Sequence, residues 1–324
     1  MIKARFFSRE NGAVICELCP HRCSIANQKM GICRQKKNEG GNLYALNYGS
    51  ISSMAIDPIE KKPLYHFYPG YDILSIGGLG CNLQCKFCQN WRISQRDRVT
   101  EKIDPRKVVD KALELSSFAI AYTYNEPLIG FEYVYDIAKL ARKRGLKNVL
   151  VTNGFINKEP LKKLLPLIDA MNIDLKAFTE GFYNRVCKGS LEPVKNTIKI
   201  AASTCHVELT TLVINGLNDG TEEIDKLSKW ISHIDSHIPL HLSKYYPNYL
   251  MDRPATSEKT MLDLAKIAKR HLAYVYIGNM LGVDNNTYCP GCGHLLIRRG
   301  YRVSIIGIKD SKCNNCGYKI KLVN

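Results

Sequence analysis

The stretch Gly80-Cys81-Asn82-Leu83-Gln84-Cys85-Lys86-Phe87-Cys88-Gln89-Asn90-Trp91 decides how the rest of the chain is interpreted. Its three cysteines have the spacing C-x3-C-x2-C and follow an apolar run at residues 73–76. Three thiolates this close together are suited to an iron–sulfur cluster. A cluster of about four irons held by three ligands keeps one iron open, and that iron can bind a small molecule and pass it an electron. An incomplete zinc site and a set of buried free thiols are the alternatives at this point.

Length and composition bound the class of protein. The 324 residues, 45% of them hydrophobic, are enough for one large α/β domain with small attachments. No apolar run approaches the roughly 20 residues that cross a bilayer. The N-terminus has neither the apolar core nor the cleavage site of a secretory signal. We therefore expect a cytoplasmic protein that does not contact a membrane.

The 13 cysteines are the most informative feature of the composition. Four lie near the N-terminus, three in the central stretch and four near the C-terminus, while Cys187 and Cys205 stand alone. An odd number of cysteines, many in C-x2-C pairs, favours metal sites in a reducing compartment over disulfides. The two isolated cysteines are expected to be small core residues.

The N-terminal cysteines are Cys16, Cys19, Cys23 and Cys33, at the spacing C-x2-C-x3-C-x9-C. Four thiolates within such a short segment can close a tetrahedral site, and a segment with little apolar mass needs that support to fold. Zinc is the first expectation and a second iron–sulfur cluster the alternative. Together with a proline-punctuated connector, they define a predicted N-terminal module over residues 1–70.

The C-terminal cysteines are Cys289, Cys292, Cys313 and Cys316, at the spacing C-x2-C-x20-C-x2-C. Two such knuckles joined by a hairpin are typical of a rubredoxin-like zinc ribbon. We predict this ribbon over residues 285–324, with a structural zinc ion.

Between the two modules, residues 71–284 alternate short apolar runs with helical patterns, which predicts parallel βα units. Six or so units would form a partial or complete barrel with its functional residues at the carboxyl ends of the strands. The predicted strands cover residues 73–76, 119–122, 148–151, 171–175, 207–213, 240–243 and 274–277. The predicted helices include one that begins at Asp104-Pro105, a good cap followed by proline at the first helical position.

Polar residues do follow the predicted strands. Asn125 and Glu126 come after the second, although Glu126 alone is also typical of a charge in a first helical turn. Thr152 and Asn153 come after the third, in a Thr-Asn-Gly turn that offers hydroxyl, amide and exposed backbone groups.

The fourth and sixth strands add further candidates. Alternation places Asn172, Asp174 and Lys176 on one face, and an inward Asp–Lys pair is costly unless it binds something. His241 ends the sixth strand, where it either faces a ligand or is a hydrogen-bonded core histidine.

These motifs together resemble the radical S-adenosylmethionine superfamily. The cysteine spacing with Phe87 before the last cysteine, the Glu126-Pro127 pair and both terminal modules are similar to one branch. It is the radical enzyme of the AmmeMemoRadiSam system, often labelled pyruvate formate-lyase activating enzyme-like. The resemblance implies a partial (β/α)6 TIM-like barrel between the two cysteine modules. The family has Gly-Gly-Glu-Pro where this chain has Tyr124-Asn125-Glu126-Pro127.

The resemblance also implies a mechanism. Cys81, Cys85 and Cys88 would hold a [4Fe–4S] cluster whose open iron chelates S-adenosylmethionine. Reductive cleavage would give a 5′-deoxyadenosyl radical that abstracts hydrogen from a protein or small-molecule substrate. A reductant of the ferredoxin or flavodoxin type is expected as partner. The residues expected around the cofactor are Phe87, Asn125, Glu126, Thr152, Asn153, Asn172, Asp174, Lys176 and His241.

Two other functions compete with this one. A glycyl-radical-enzyme activase fits the barrel, but dedicated activases generally lack these terminal modules. A nucleic-acid-binding metalloprotein fits the formal net charge of +16 and the ribbon. The basic residues are spread along the chain, however, and no strand interleaves aromatic and basic residues, so nucleic acid is not the favoured partner.

Overall fold

The computed structural model describes residues 1–10, 12–96 and 98–324. Its N-terminal region consists of short antiparallel strands. The first, sixth and fifth strands form one sheet, the second to fourth form another, and the seventh pairs with the later strand Glu101–Lys102. These seven strands are β1 (Ile2–Lys3), β2 (Phe7–Glu10), β3 (Ala13–Cys16), β4 (Ser24–Ile25), β5 (Lys36–Glu39), β6 (Asn42–Ala45) and β7 (Ser50–Ile51).

An eight-stranded sheet forms the centre of the molecule. Its strands, with the short β10 that pairs outside it, are β8 (Ser53–Pro58), β9 (Asp72–Gly77), β10 (Glu101–Lys102), β11 (Ala119–Tyr122), β12 (Lys147–Thr152), β13 (Ala170–Asp174), β14 (His206–Val213), β15 (Leu240–Lys244) and β16 (Val275–Gly278). From β9 onward, neighbours are parallel and follow chain order, while β8 runs antiparallel along β9. All seven predicted strands are confirmed. The sheet thus contains the six expected βα units followed by one further parallel strand, because the run at 274–277 continues the same order.

Eight α-helices are described. They are α1 (Trp91–Ser94), α2 (Pro105–Glu114), α3 (Phe131–Lys143), α4 (Lys158–Leu164), α5 (Glu180–Phe182), α6 (Leu191–Ala202), α7 (Thr221–Asp235) and α8 (Glu258–Ala268). The predicted start of α2 is confirmed, because the Asp104 carboxylate accepts a 2.9 Å hydrogen bond from the Arg106 backbone N–H and Pro105 follows it. None of the described helices combines the length and the apolar character that a membrane crossing requires.

The segment between β8 and β9 fills the inside of the sheet. Ile59, Leu64 and Phe67 are fully buried, and they form a cluster with inward residues of four parallel strands. Those strand residues are Ile73, Ala119, Ala121, Val149 and Ala170. Small inward side chains leave room for this segment, whereas the alternate residues face the helices. We call residues 59–68 the floor segment, since they close the sheet beneath the site described below.

The C-terminal region is built of five short strands, β17 (Thr287–Tyr288), β18 (Leu295–Arg299), β19 (Val303–Ile305), β20 (Ile308–Lys309) and β21 (Lys312–Cys313). The first three form an antiparallel sheet and the last two a hairpin. The tail then pairs with the floor segment, where the Tyr68 N–H donates to the Val323 carbonyl at 2.7 Å. Arg299 also donates to the Tyr65 carbonyl at 2.7 Å. The region therefore braces the floor from outside.

Candidate functional site

A cavity of about 400 Å³ opens at the carboxyl ends of the parallel strands. Cys81, Cys85 and Cys88 line it together. The sequence-predicted residues that share this wall are Phe87, Asn125, Glu126, Thr152, Asn153, Asp174 and Lys176. The topology explains their meeting, because the carboxyl ends of neighbouring parallel strands lie at one edge of the sheet.

Glu126 is held at the end of β11 by three donors. Its Oε1 accepts from the Thr152 hydroxyl at 2.7 Å and the Leu128 N–H at 3.0 Å, and its Oε2 accepts from the Asn153 N–H at 2.8 Å. The bond from Leu128 is a helix-cap contact, so the helix-terminus interpretation and the cavity position hold together. A carboxylate offers about four acceptor positions, which leaves one on Oε2 for a ligand. Burial raises the pKa of Glu126 to about 7, against the effect of these hydrogen bonds.

Asn125 and Asn153 brace the cysteine loop. Asn125 accepts from the Gly78 N–H at 2.8 Å and donates to the Gly80 carbonyl at 3.1 Å. The side-chain amide of Asn153 donates to the Asn82 side-chain oxygen at 2.9 Å and lies 3.5 Å from the Cys81 sulfur. Both amides therefore fix the direction in which Cys81 presents its thiol.

Asp174 and Lys176, which line the same cavity as Glu126, form an ion pair with 2.8 Å between Nζ and Oδ2. The ammonium group lies 5.8 Å from the centre of the Phe87 ring. Burial lowers the pKa of Lys176, but Asp174 and the thiols of Cys85 and Cys187 raise it well above its usual value. A lysine that stays charged keeps donors available for an anionic ligand group.

Two predicted cofactor residues lie outside the cavity lining. Asn172 is buried and bonds to the Pro63 carbonyl and the Thr210 hydroxyl. His241 is 4% exposed, and its Nε2 lies 2.7 Å from Glu208. Both side chains face the floor segment, one layer below the cavity.

Cys187 makes contacts with the cysteine loop that its isolated position in the sequence did not indicate. This buried cysteine accepts a 2.8 Å hydrogen bond from the Gln84 N–H through its carbonyl. Its thiol also hydrogen bonds to Cys85, which lowers the pKa of Cys85. No signal along the chain could show this contact, since the two cysteines lie 102 positions apart in the sequence.

A second missed group forms another part of the wall. Lys62 from the floor segment pairs with Asp57 at 2.7 Å, and the Tyr124 hydroxyl donates to the same carboxylate at 2.6 Å. Lys62 and Tyr124 line the cavity. The connector thus supplies part of the site, which the proline-rich sequence did not indicate.

The two terminal cysteine sets differ in spacing. The C-terminal sulfurs all lie within 4.8 Å of one another, with pairs at 3.6 Å (Cys289–Cys316) and 3.8 Å (Cys292–Cys313), so they could hold a metal ion. Cys16, Cys19, Cys23 and Cys33 line a small internal cavity of about 10 Å³. The members of each set therefore lie together in the structure.

The cavity fits the group implied by the cysteine spacing. The three thiols are soft metal ligands. The Glu126 carboxylate and the Lys176 ammonium group lie in the same lining and could pair with the amino and carboxylate groups of an amino acid. Burial holds the pKa of Cys81 well above its ordinary value, so that metal binding must displace its proton.

Comparison with known proteins gives the same assignment. The Radical SAM superfamily model matches residues 75–231. An uncharacterised protein of Methanocaldococcus jannaschii is 40% identical over 335 residues, covering 100% of both chains. The pyruvate formate-lyase 1-activating enzyme of Escherichia coli is 23% identical over 59% of this chain and 81% of its own.

A solved structure shares the fold. The radical SAM methyltransferase of Sphaerobacter thermophilus covers 71% of each chain with a TM-score of 0.51 at 14% identity. Membership of this family implies a [4Fe–4S] cluster and S-adenosylmethionine. The chain belongs to the radical SAM superfamily.

Proposed function

We propose that the protein is a radical enzyme that cleaves S-adenosylmethionine at a [4Fe–4S] cluster held by Cys81, Cys85 and Cys88. The observation that carries this proposal is the convergence of the three thiols with Glu126, Asp174 and Lys176 on one cavity. Cys81, Cys85 and Cys88 would hold the cluster, which, once reduced by an external one-electron donor, would supply the electron that cleaves S-adenosylmethionine to methionine and a 5′-deoxyadenosyl radical; that radical would abstract hydrogen from a substrate.

The chain's own residues bind and orient the methionine end. Glu126 has one acceptor position left for the ammonium group of S-adenosylmethionine, and Lys176 has donors left for its carboxylate. Phe87 offers an apolar face to the adenine side and packs on Phe182, with 6.1 Å between ring centres. The floor segment closes the cavity from below, which keeps water from the reacting atoms.

The test is an oxygen-free assay of the full chain. We expect the protein, after reconstitution with iron and sulfide, to be brown and to release 5′-deoxyadenosine when dithionite and S-adenosylmethionine are added. Cys88→Ala should lose both colour and product, whereas Cys205→Ala, a cysteine remote from the cavity lining, should keep both. A Cys88→Ala protein that kept both would overturn the proposal.

The substrate is a protein or a small molecule, and a glycyl-radical enzyme is the second candidate. It is supported by the similarity to the activating enzyme of Escherichia coli, which spans 59% of this chain. Incubation of the reduced enzyme with pyruvate formate-lyase, followed by electron paramagnetic resonance, tests it directly. A glycyl-radical signal would support activase function, and 5′-deoxyadenosine without that signal would reject this substrate.

We further propose that Cys289, Cys292, Cys313 and Cys316 hold a structural zinc ion. Zinc binds thiolates at about 2.3 Å, so two thiolates of a tetrahedral site lie about 3.8 Å apart. The sulfur pairs at 3.6 and 3.8 Å support this metal. One zinc atom per chain, lost in Cys313→Ser, is the expected result of a metal assay.

A further inference from the structure

The spacing of the N-terminal sulfurs differs from that of the ribbon. Among the residues that the structure describes, the ribbon is the one group of three or more potential ligand atoms that lie within 4.8 Å of one another. No three of the sulfurs of Cys16, Cys19, Cys23 and Cys33 are that close, although all four line one cavity. A single zinc ion would bring them to about 3.8 Å.

The central cysteines provide an internal reference for the wider spacing. Cys81, Cys85 and Cys88 line one cavity and likewise form no group within 4.8 Å among the described ligand atoms. In a cluster each thiolate binds a different iron, so its sulfurs stand farther apart than those that share one ion. The N-terminal four thus share with the central three a spacing wider than that of the ribbon, which is the direction that a cluster requires.

The surroundings of the N-terminal cavity suit an anionic cluster. Apolar side chains of Leu18, Ile25 and Ile129 line it and keep water away. Lys36 lines it as well, and its ammonium group is buried in an ion pair with Glu132. Because Lys36 lines the cavity and Glu132 does not, the cation is the nearer member of the pair and offsets part of the negative charge that four thiolates bring.

This cavity touches the loop that carries the central cysteines. Asn82 lines the N-terminal cavity, and its backbone carbonyl lies 2.7 Å from Nε2 of His21. At Gly80, with φ of +84°, a Cβ would stand 2.8 Å from the carbonyl oxygen of Cys33. The backbones of the two cysteine loops are therefore in direct contact.

We propose that Cys16, Cys19, Cys23 and Cys33 hold a second iron–sulfur cluster, behind the loop of Cys81, Cys85 and Cys88. This reverses the preference for zinc that the sequence alone gave. The inference rests on the proposed function for the central cysteines, since their spacing is the reference.

The experiment counts metals in three full-length proteins after oxygen-free reconstitution with iron and sulfide. The first is the wild type. The second carries Cys81→Ala, Cys85→Ala and Cys88→Ala, and the third carries Cys16→Ala and Cys19→Ala. Iron, acid-labile sulfide and zinc are measured per chain, with visible absorption to identify the cluster. Circular dichroism and retention of the ribbon zinc report whether each variant is folded.

We expect about eight irons in the wild type and about four in the central triple variant, with one zinc in each. The triple variant is decisive because it leaves the N-terminal module intact. Two zinc atoms and no iron in that variant would overturn the second cluster and leave the proposed function standing. Iron that persisted in full in the triple variant, but fell to none in the N-terminal variant, would instead overturn the proposed function.

Discussion

The hydroxyl of Thr152 donates a 2.7 Å hydrogen bond to the carboxylate of Glu126, which links the ends of β11 and β12 at the cavity wall. The next residue, Asn153, donates its backbone N–H to the other oxygen and its side chain to the cysteine loop. One turn therefore positions both the carboxylate and the loop. A change at Glu126 or in the cysteine loop should therefore alter the position of the other.

Binding of S-adenosylmethionine should depend on pH through Glu126. Burial raises the pKa of this carboxyl from 4.5 to about 7, so it is mostly neutral at pH 6 and mostly charged at pH 8. Because only the charged form attracts an ammonium group, we expect affinity to weaken about tenfold from pH 8 to pH 6. Calorimetric titration of the reconstituted protein without oxygen measures it.

Glu126→Gln is the control for this pH dependence. It should bind S-adenosylmethionine weakly and with an equal affinity at both pH values, since the amide does not titrate. The same pH slope in the variant and the wild type would assign the effect to another group.

The raised pKa of Glu126 also predicts a change in stability. Because the folded protein must ionise a buried carboxyl, the free energy of unfolding should fall by about 3 kcal/mol as the pH rises from 4.5 to 7.

Gly80→Ala should disrupt the cysteine loop. The position has φ of +84°, and an added Cβ would stand 2.6 Å from Cγ of Gln35. Gly282 also has a positive φ, +72°, with nothing within 4 Å of an added Cβ. We expect Gly282→Ala to lose about 1 kcal/mol of stability, while Gly80→Ala loses more and retains less iron. Equal losses in thermal unfolding and equal iron content would show that the contact with the N-terminal module is unimportant.

Glu208→Gln should destabilise the floor of the site. The buried carboxylate accepts from the backbone N–H groups of Tyr65 and His66 and lies within 2.9 Å of ring nitrogens of His206 and His241. In the variant, an amide nitrogen, which is itself a donor, would face these N–H donors. We therefore expect the free energy of unfolding, measured in urea, to fall by about 3 kcal/mol. Glu222→Gln, on an exposed helix face, should change stability by less than about 0.5 kcal/mol. Similar values for both would contradict the importance of this network.

Arg299→Ala should loosen the contact between the C-terminal region and the floor segment. Arg299 donates to the Tyr65 carbonyl at 2.7 Å and the Thr287 hydroxyl at 2.6 Å, and its guanidinium lies 4.4 Å from the centre of the Tyr65 ring. Loss of these charged hydrogen bonds should cost about 3 kcal/mol. The neighbouring Arg298 is exposed, so Arg298→Ala serves as the matched control and should be nearly neutral. Hydrogen exchange at residues 65–68 reports the local effect.

Periodicity alone predicted most of the barrel. Each of the seven apolar runs became a parallel strand, because a run buried on both faces has few other stable arrangements. The start of α2 could also be predicted from neighbouring residues alone, since Asp104 caps the helix and Pro105 occupies its first position. Strand β8 was missed because its sequence, Ser-Met-Ala-Ile-Asp-Pro, ends in proline and holds a charge, as edge strands do.

The sequence by itself determined the family, the three cysteine groups and ten of the 25 residues that line the cavity, because these follow from residue type and position at the end of a strand. Tertiary structure decided what surrounds them. It turned Asn172 and His241 toward the floor segment, brought Cys187 beside Cys85 and placed the backbone of Cys33 against Gly80. It also set the distances between sulfurs, on which the proposals of a zinc ion in one terminal set and a cluster in the other depend. Spacing along a chain limits which thiols can meet, but only packing fixes how closely they do so.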